Sequence, residues 1–155
     1  MKKYLFTIIL RGDKLEVDIT WIKNMQFNAK GNYDRGVIIE VPEEGKGGER
    51  LGPEPMEIML MGIGTCTAAD VIWIMNKSRI QLEKFELHLN AERATTDPKR
   101  FTKIHIEYVL SGKGLKDKLV ARAIKLSQEK YCSATSSVAV GGALITASHR
   151  ITPTE

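Results

Sequence analysis

Residues on which whole classes of protein depend are scarce in this chain. Only two of its 155 residues are cysteines, Cys66 and Cys132, which is too few for a disulfide framework, and neither belongs to a CxxC pair. The three histidines, His88, His105 and His149, fall in predicted strands at spacings that match no zinc signature, so no metal and no bound cofactor are expected. Aromatic residues make up 6% of the chain, leaving little on which bases could stack. Lysine and arginine are interleaved with aspartate and glutamate, so the net charge of +4 and pI near 9.1 describe a solvated basic surface and predict no nucleic-acid partner. There is no nucleophile-elbow sequence, no internal repeat and no linker long enough to separate domains. The opening MKKYLFTIILRG is charged at its start but has too short an apolar stretch and no small-residue cleavage site. It reads as a strand, and a cytoplasmic protein is the expectation.

What is present fits one globular domain over residues 1–155, at 43% hydrophobic and 27% charged. KYLFTIIL, KLEVDITWI and GVIIEVP are short, β-branched and partly alternating, with RGD and KGNYDRG as turn signals, and predict an antiparallel meander. EEGKGGERLGPEP breaks the pattern, and Pro53 and Pro55 are placed to open a helix from Pro55 to Arg79, roughly 37 Å long at 1.5 Å per residue. KFELHLNAERAT and FTKIHIEYVLSG alternate across the turn TTDPKR and predict a hairpin with wet outward faces. A second helix follows from Leu115 to Tyr131, with Leu119, Ala123, Leu126 and Lys130 on one stripe and Val120 and Ile124 beside it. A helical turn after Cys132 and a last strand, ALITASHRI, close the chain. The apolar run Ile58 to Met75 contains Asp70 and two glycines and is followed by Asn76 and Lys77, so it reads as a core helix and not as a membrane span.

Two glycines, two threonines and an aspartate surround Cys66 in GIGTCTAAD, where each glycine costs roughly 1 kcal/mol against alanine. Gly62, Cys66 and Asp70 share one helix face, so a thiol there has open space beneath it and a polar group above. Cys66 lies about three turns into the helix, too far for the helix N-terminus to lower its pKa, and activation would need a nearby cation or hydrogen-bond donor. Plainer roles are open for the same residues. A free cysteine commonly acts as a small buried hydrophobe, Asp70 can simply bond a neighbouring strand or helix end, and Gly62 and Gly64 can serve only the close approach of another helix.

The segment GPEPMEIMLMGIGTCTAADVI resembles the signature of the OsmC/Ohr superfamily, the osmotically inducible protein C and organic hydroperoxide resistance proteins, and within it the YhfA-like subgroup. The order of strands, long helix, hairpin, second helix ending in EKYCS and last strand extends the resemblance over essentially the whole chain. It implies an α+β fold with antiparallel sheets around a long central helix and an intertwined homodimer. The family's best-understood members are thiol peroxidases acting on small hydrophobic peroxides and recycled by a dithiol reductant. By resemblance, Cys66 attacks the peroxide, Cys132 closes a disulfide on the resulting sulfenic acid, and Glu57 is the nearest match to an acidic residue near the helix start. Two positions depart from the pattern. The peroxidases carry the acid ten residues before the first cysteine, where this chain has Met56. They also use an arginine after the first strands, where KNMQFNAK has none and Gln26 is the closest occupant, with Arg35 and Arg50 as substitutes in nearby loops. Two functions follow: a cysteine peroxidase for organic hydroperoxides, or a non-catalytic dimer that binds a small hydrophobic ligand or senses oxidants through Cys66.

Overall fold

The computed structural model describes residues 15–32, 35–42 and 50–153. The strand expected at KYLFTIIL and most of the glycine-rich loop before Arg50 lie outside the described residues. The chain groups into two compact units, one ending at Ile58 and one running from Met59.

The first unit is built on a three-stranded antiparallel sheet of β1 (Asp18–Lys23), β2 (Gln26–Lys30) and β3 (Gly36–Glu40), with β2 in the centre. β2 was not expected. The tight turn into it is carried by Asn24, which adopts φ 47°, and asparagine is among the few residues that take this conformation at small cost. Gln26 is buried in β2, where its Nε2 donates to Glu40 Oε1 at 3.3 Å. Glu40 also accepts the backbone N–H of Leu51 at 2.9 Å.

Helix α1 (Pro55–Lys77) opens at the expected proline and ends two residues before Arg79, which takes φ 59°. Its length and composition would suit a membrane span. A strip of Ile63, Gly64, Thr67, Val71 and Met75 is nonetheless buried inside the protein, at the i, i+4 spacing of a core-facing stripe. Burying Ile63, Val71 and Met75 contributes about 1.5–3 kcal/mol each.

The second unit's sheet orders β4 (Leu82–Arg93), β5 (Phe101–Gly112) and β6 (Leu144–Ile151). The hairpin forms as expected, antiparallel, with His88 opposite Glu107 and Leu87 opposite Tyr108. β5 is central and its inward residues Ile104, Ile106, Tyr108 and Leu110 are wholly buried, so it is far less wet than its alternation suggested. β6 pairs with β5 in parallel. A parallel neighbour needs a crossover, and that crossover is α2 (Asp117–Leu126), a π-helical turn (Ser127–Tyr131) and α3 (Ser133–Val140). The expected single helix to Tyr131 therefore changes character at Ser127. Its buried face is Val120, Ala123, Ile124 and Ser127, one position away from the expected Leu119 and Lys130 stripe. Gly64 admits the side chain of Leu89 on β4, whose Cδ1 would lie 3.0 Å from an added Cβ, while Gly62 faces open space. The close approach expected of another helix is thus made by a strand residue, at one glycine only.

Candidate active site

Helix α1 presents Cys66 at the edge of its buried stripe, half-buried, and Cys132 ends the π-helical turn, buried at 2% exposure. Both are free thiols. The fold brings them together: the Cys66 thiol is in hydrogen-bonding reach of Cys132. The second cysteine owes its place to local backbone geometry. Its N–H is drawn back to the carbonyl of Ser127 at 2.8 Å, an i+5 bond, and it then serves as N-cap of α3, with its Sγ accepting the N–H of Thr135 at 3.5 Å. The small residues of SATSS let this helix begin directly at the sulfur.

The N-terminus of α3 serves both sulfurs. The backbone N–H of Ala134 lies near enough to Cys66 to lower its pKa, and that of Thr135 bonds Cys132. These are the donors that the start of a helix leaves unpaired, and they carry its partial positive charge. The helix that matters to Cys66 is therefore α3 and not its own. Burial nonetheless dominates and pushes the Cys66 thiol above its ordinary value. The Ala134 N–H opposes that shift, while the neighbouring Cys132 and the Asp70 carboxylate add to it.

Beside the sulfurs runs a chain of hydroxyl groups that the sequence did not suggest. Tyr108 Oη lies 2.6 Å from Thr67 Oγ1, Thr67 Oγ1 lies 2.9 Å from Ser127 Oγ, and Ser127 Oγ donates to Asp70 Oδ2 at 2.9 Å. Tyr108, Thr67 and Ser127 are wholly buried. Burial raises the Asp70 pKa, against the hydrogen bond from Ser127. Burial also pushes Tyr108 up to about 12, with its bond to Thr67 opposing. Gln128 lies near enough to act on Tyr108, yet its buried Nε2 has no well-formed hydrogen bond. The only advance hints were Thr67 next to Cys66 and the plain role allowed to Asp70.

Glu57 is in the first turn of α1, where its Oε2 accepts the N–H of Glu54 at 2.8 Å, the work of a carboxylate at a helix start. It is nine residues before Cys66, roughly half a revolution round an α-helix. Gln26 is engaged by Glu40, and Arg50 pairs with Glu54 at 2.8 Å. Of the histidines, His105 lies between the hydroxyls of Thr146 and Ser148, and His149 bonds Asp117 at 2.8 Å. Among the described residues no three His, Cys, Asp or Glu side chains gather as a metal site. An open cavity of about 560 Å³ borders Cys132, lined also by Tyr131, Thr135, Val140 and Ile145.

Residues 45–146 match the family model described as OsmC-like protein. Protein YhfA of Escherichia coli (strain K12) is 34% identical over 119 residues, which cover 77% of this chain and 85% of that protein. The crystal structure of a hypothetical protein from Aquifex aeolicus VF5 matches with a TM-score of 0.80 and 28% identity, over 93% of this chain and 100% of the other. The organic hydroperoxide resistance protein OhrB of Bacillus subtilis matches with a TM-score of 0.60 and 14% identity, over 88% and 98% of the two chains, a likeness of fold.

Proposed function

This chain belongs to the OsmC-like protein family, and from that premise we propose that it is a thiol-dependent peroxidase for organic hydroperoxides, acting as one OsmC-like domain in a homodimer. The observation that carries this reading is the pair of free thiols in hydrogen-bonding reach of each other beneath the N-terminus of α3. In the first step the Cys66 thiolate attacks the outer peroxide oxygen, the O–O bond breaks, and the thiol becomes a sulfenic acid as the peroxide leaves as an alcohol. Cys132 then attacks the Cys66 sulfur, a disulfide forms and water departs. A dithiol returns the pair to two thiols by exchange and is itself oxidised. The unequal burial of the sulfurs favours this order, because Cys66 is half-buried and Cys132 is buried. The Ala134 N–H supports the Cys66 thiolate during attack, and the Thr135 N–H supports Cys132 when it becomes the nucleophile. No metal or bound cofactor enters either step. Glu57, matched to the family acid by position, accepts the N–H of Glu54 at the helix start, and a part for it in the reaction would be at a thiol reached across a partner surface.

Turnover of cumene hydroperoxide with a lipoyl dithiol as reductant tests the reading. Sustained consumption supports it. One oxidation per chain without recycling points instead to an oxidant sensor, the second reading.

A further inference from the structure

Ser127 connects the hydroxyl chain to Cys132 in a way that the peroxidase steps leave unused. Its Oγ donates to Asp70 at 2.9 Å, while its backbone carbonyl accepts the Cys132 N–H at 2.8 Å and closes the π-helical turn. An ionised carboxylate only accepts, so Ser127's one hydroxyl proton is committed to Asp70. The proton of Thr67 must then go to Ser127, and that of Tyr108 to Thr67. Every link has one direction, and the chain ties α1, which carries Cys66, to the turn that carries Cys132. A π-turn is rare because ordinary i+4 bonding competes with it, so this one needs an outside tie. Were the tie lost and the turn to revert, Cys132 would rotate by about 100° round the helix axis, away from Cys66.

We propose that Asp70 and Ser127 are positioning residues that hold the π-turn and thereby set Cys132 against Cys66 for disulfide closure. The inference rests on the peroxidase reading, which requires that bridge. In glutathione buffers of graded ratio, two protein thiols and one glutathione disulfide exchange to give the Cys66–Cys132 bridge and two glutathione thiols, and the bridged fraction is counted by alkylation and mass spectrometry. Asp70→Ala and Ser127→Ala are expected to lower that equilibrium constant about tenfold, a shift of about 30 mV for a two-electron couple. Asp70→Asn keeps an acceptor oxygen for Ser127 and is expected to stay within about twofold of wild type. A tie that served only global stability would lower the melting temperature and leave the potential unmoved, which overturns the proposal. Equal shifts in Asp70→Ala and Asp70→Asn overturn it too, since they would assign the effect to charge. If Ser127→Ala does not fold, the two Asp70 variants decide. Wild-type protein that forms no bridge defeats the peroxidase reading itself, whereas a wild-type bridge with an unmoved Asp70→Ala potential defeats only this inference.

Discussion

Replacing Thr67 by valine keeps the branched shape of a wholly buried side chain and removes one oxygen that bonds Tyr108 at 2.6 Å and Ser127 at 2.9 Å. The cost falls unequally. Ser127 keeps its bond to Asp70 and loses only a donor to one lone pair. The Tyr108 hydroxyl loses the acceptor of its proton in a site with no exposure. A buried polar group left unpaired costs about 1–3 kcal/mol, so the two losses together should destabilise the protein by about 2–4 kcal/mol. For a domain of this size the melting temperature should fall by roughly 5–15 °C. Tyr108→Phe removes the stranded hydroxyl, so the double variant should recover at least about 1 kcal/mol relative to the sum of the singles. Urea unfolding of the four proteins measures this cycle. It should be run with reductant, so that no disulfide contributes, and at one protein concentration, so that self-association does not. A Thr67→Val loss below about 0.5 kcal/mol, the level of an ordinary surface change, refutes the reasoning. So does an additive cycle.

Cys66→Ser should abolish hydroperoxide consumption, whereas Cys132→Ser should react once, accumulate a sulfenic acid and stall; the reverse pattern by mass spectrometry would exchange the roles of the sulfurs. Because burial raises the Cys66 pKa, its alkylation by iodoacetamide should keep accelerating beyond pH ~8.5, the ordinary thiol value, and a plateau at or below neutrality would contradict that direction. Asp70 holds its proton more tightly folded than unfolded, so its contribution to stability is complete below pH ~3.9 and is lost as pH rises through the folded pKa; urea midpoints should show Asp70→Asn gaining on wild type over that window, and a constant difference would count against it. Met59, Met61, Ile72 and Trp73 are all at least 36% exposed, so α1 leaves apolar side chains in water on more than one side. Sedimentation at micromolar concentration should show a dimer, and a stable folded monomer would remove that part of the proposal.

The legible parts of the fold were those with a local cause. Pro55 marked the start of α1, alternation marked β4 and β5, and both were found within a residue or two. β2 was missed because QFNAK has one large apolar residue and only a weak alternation, and it is a strand chiefly because β1 and β3 pair with both its edges. Pairing of that kind is a property of neighbours and not of the segment. The change from α to π at Ser127 has the same origin. SQEKY continues the helical pattern of α2, and what redirects it is a pair of hydrogen bonds to Asp70 and Thr67 on another helix.

The site was half legible for a related reason. Two cysteines beside small residues mark a possible thiol pair, and composition shows that no arginine stands in KNMQFNAK. A backbone N–H has no signature in composition, because every residue except proline has one. Only the fold shows that Ala134 and Thr135 aim theirs at the two sulfurs. The substitution is not equivalent to a cation. A guanidinium carries a full charge and can follow the sulfur as it moves, whereas the start of a helix offers about half a charge from a fixed direction. Burial outweighs it, and the Cys66 pKa is raised. The two donors are adjacent in the chain, however, and each already faces its own sulfur. That geometry gives up some reactivity of the first thiol for support of both, which suits the proposed reaction, in which the two thiols must ionise in turn.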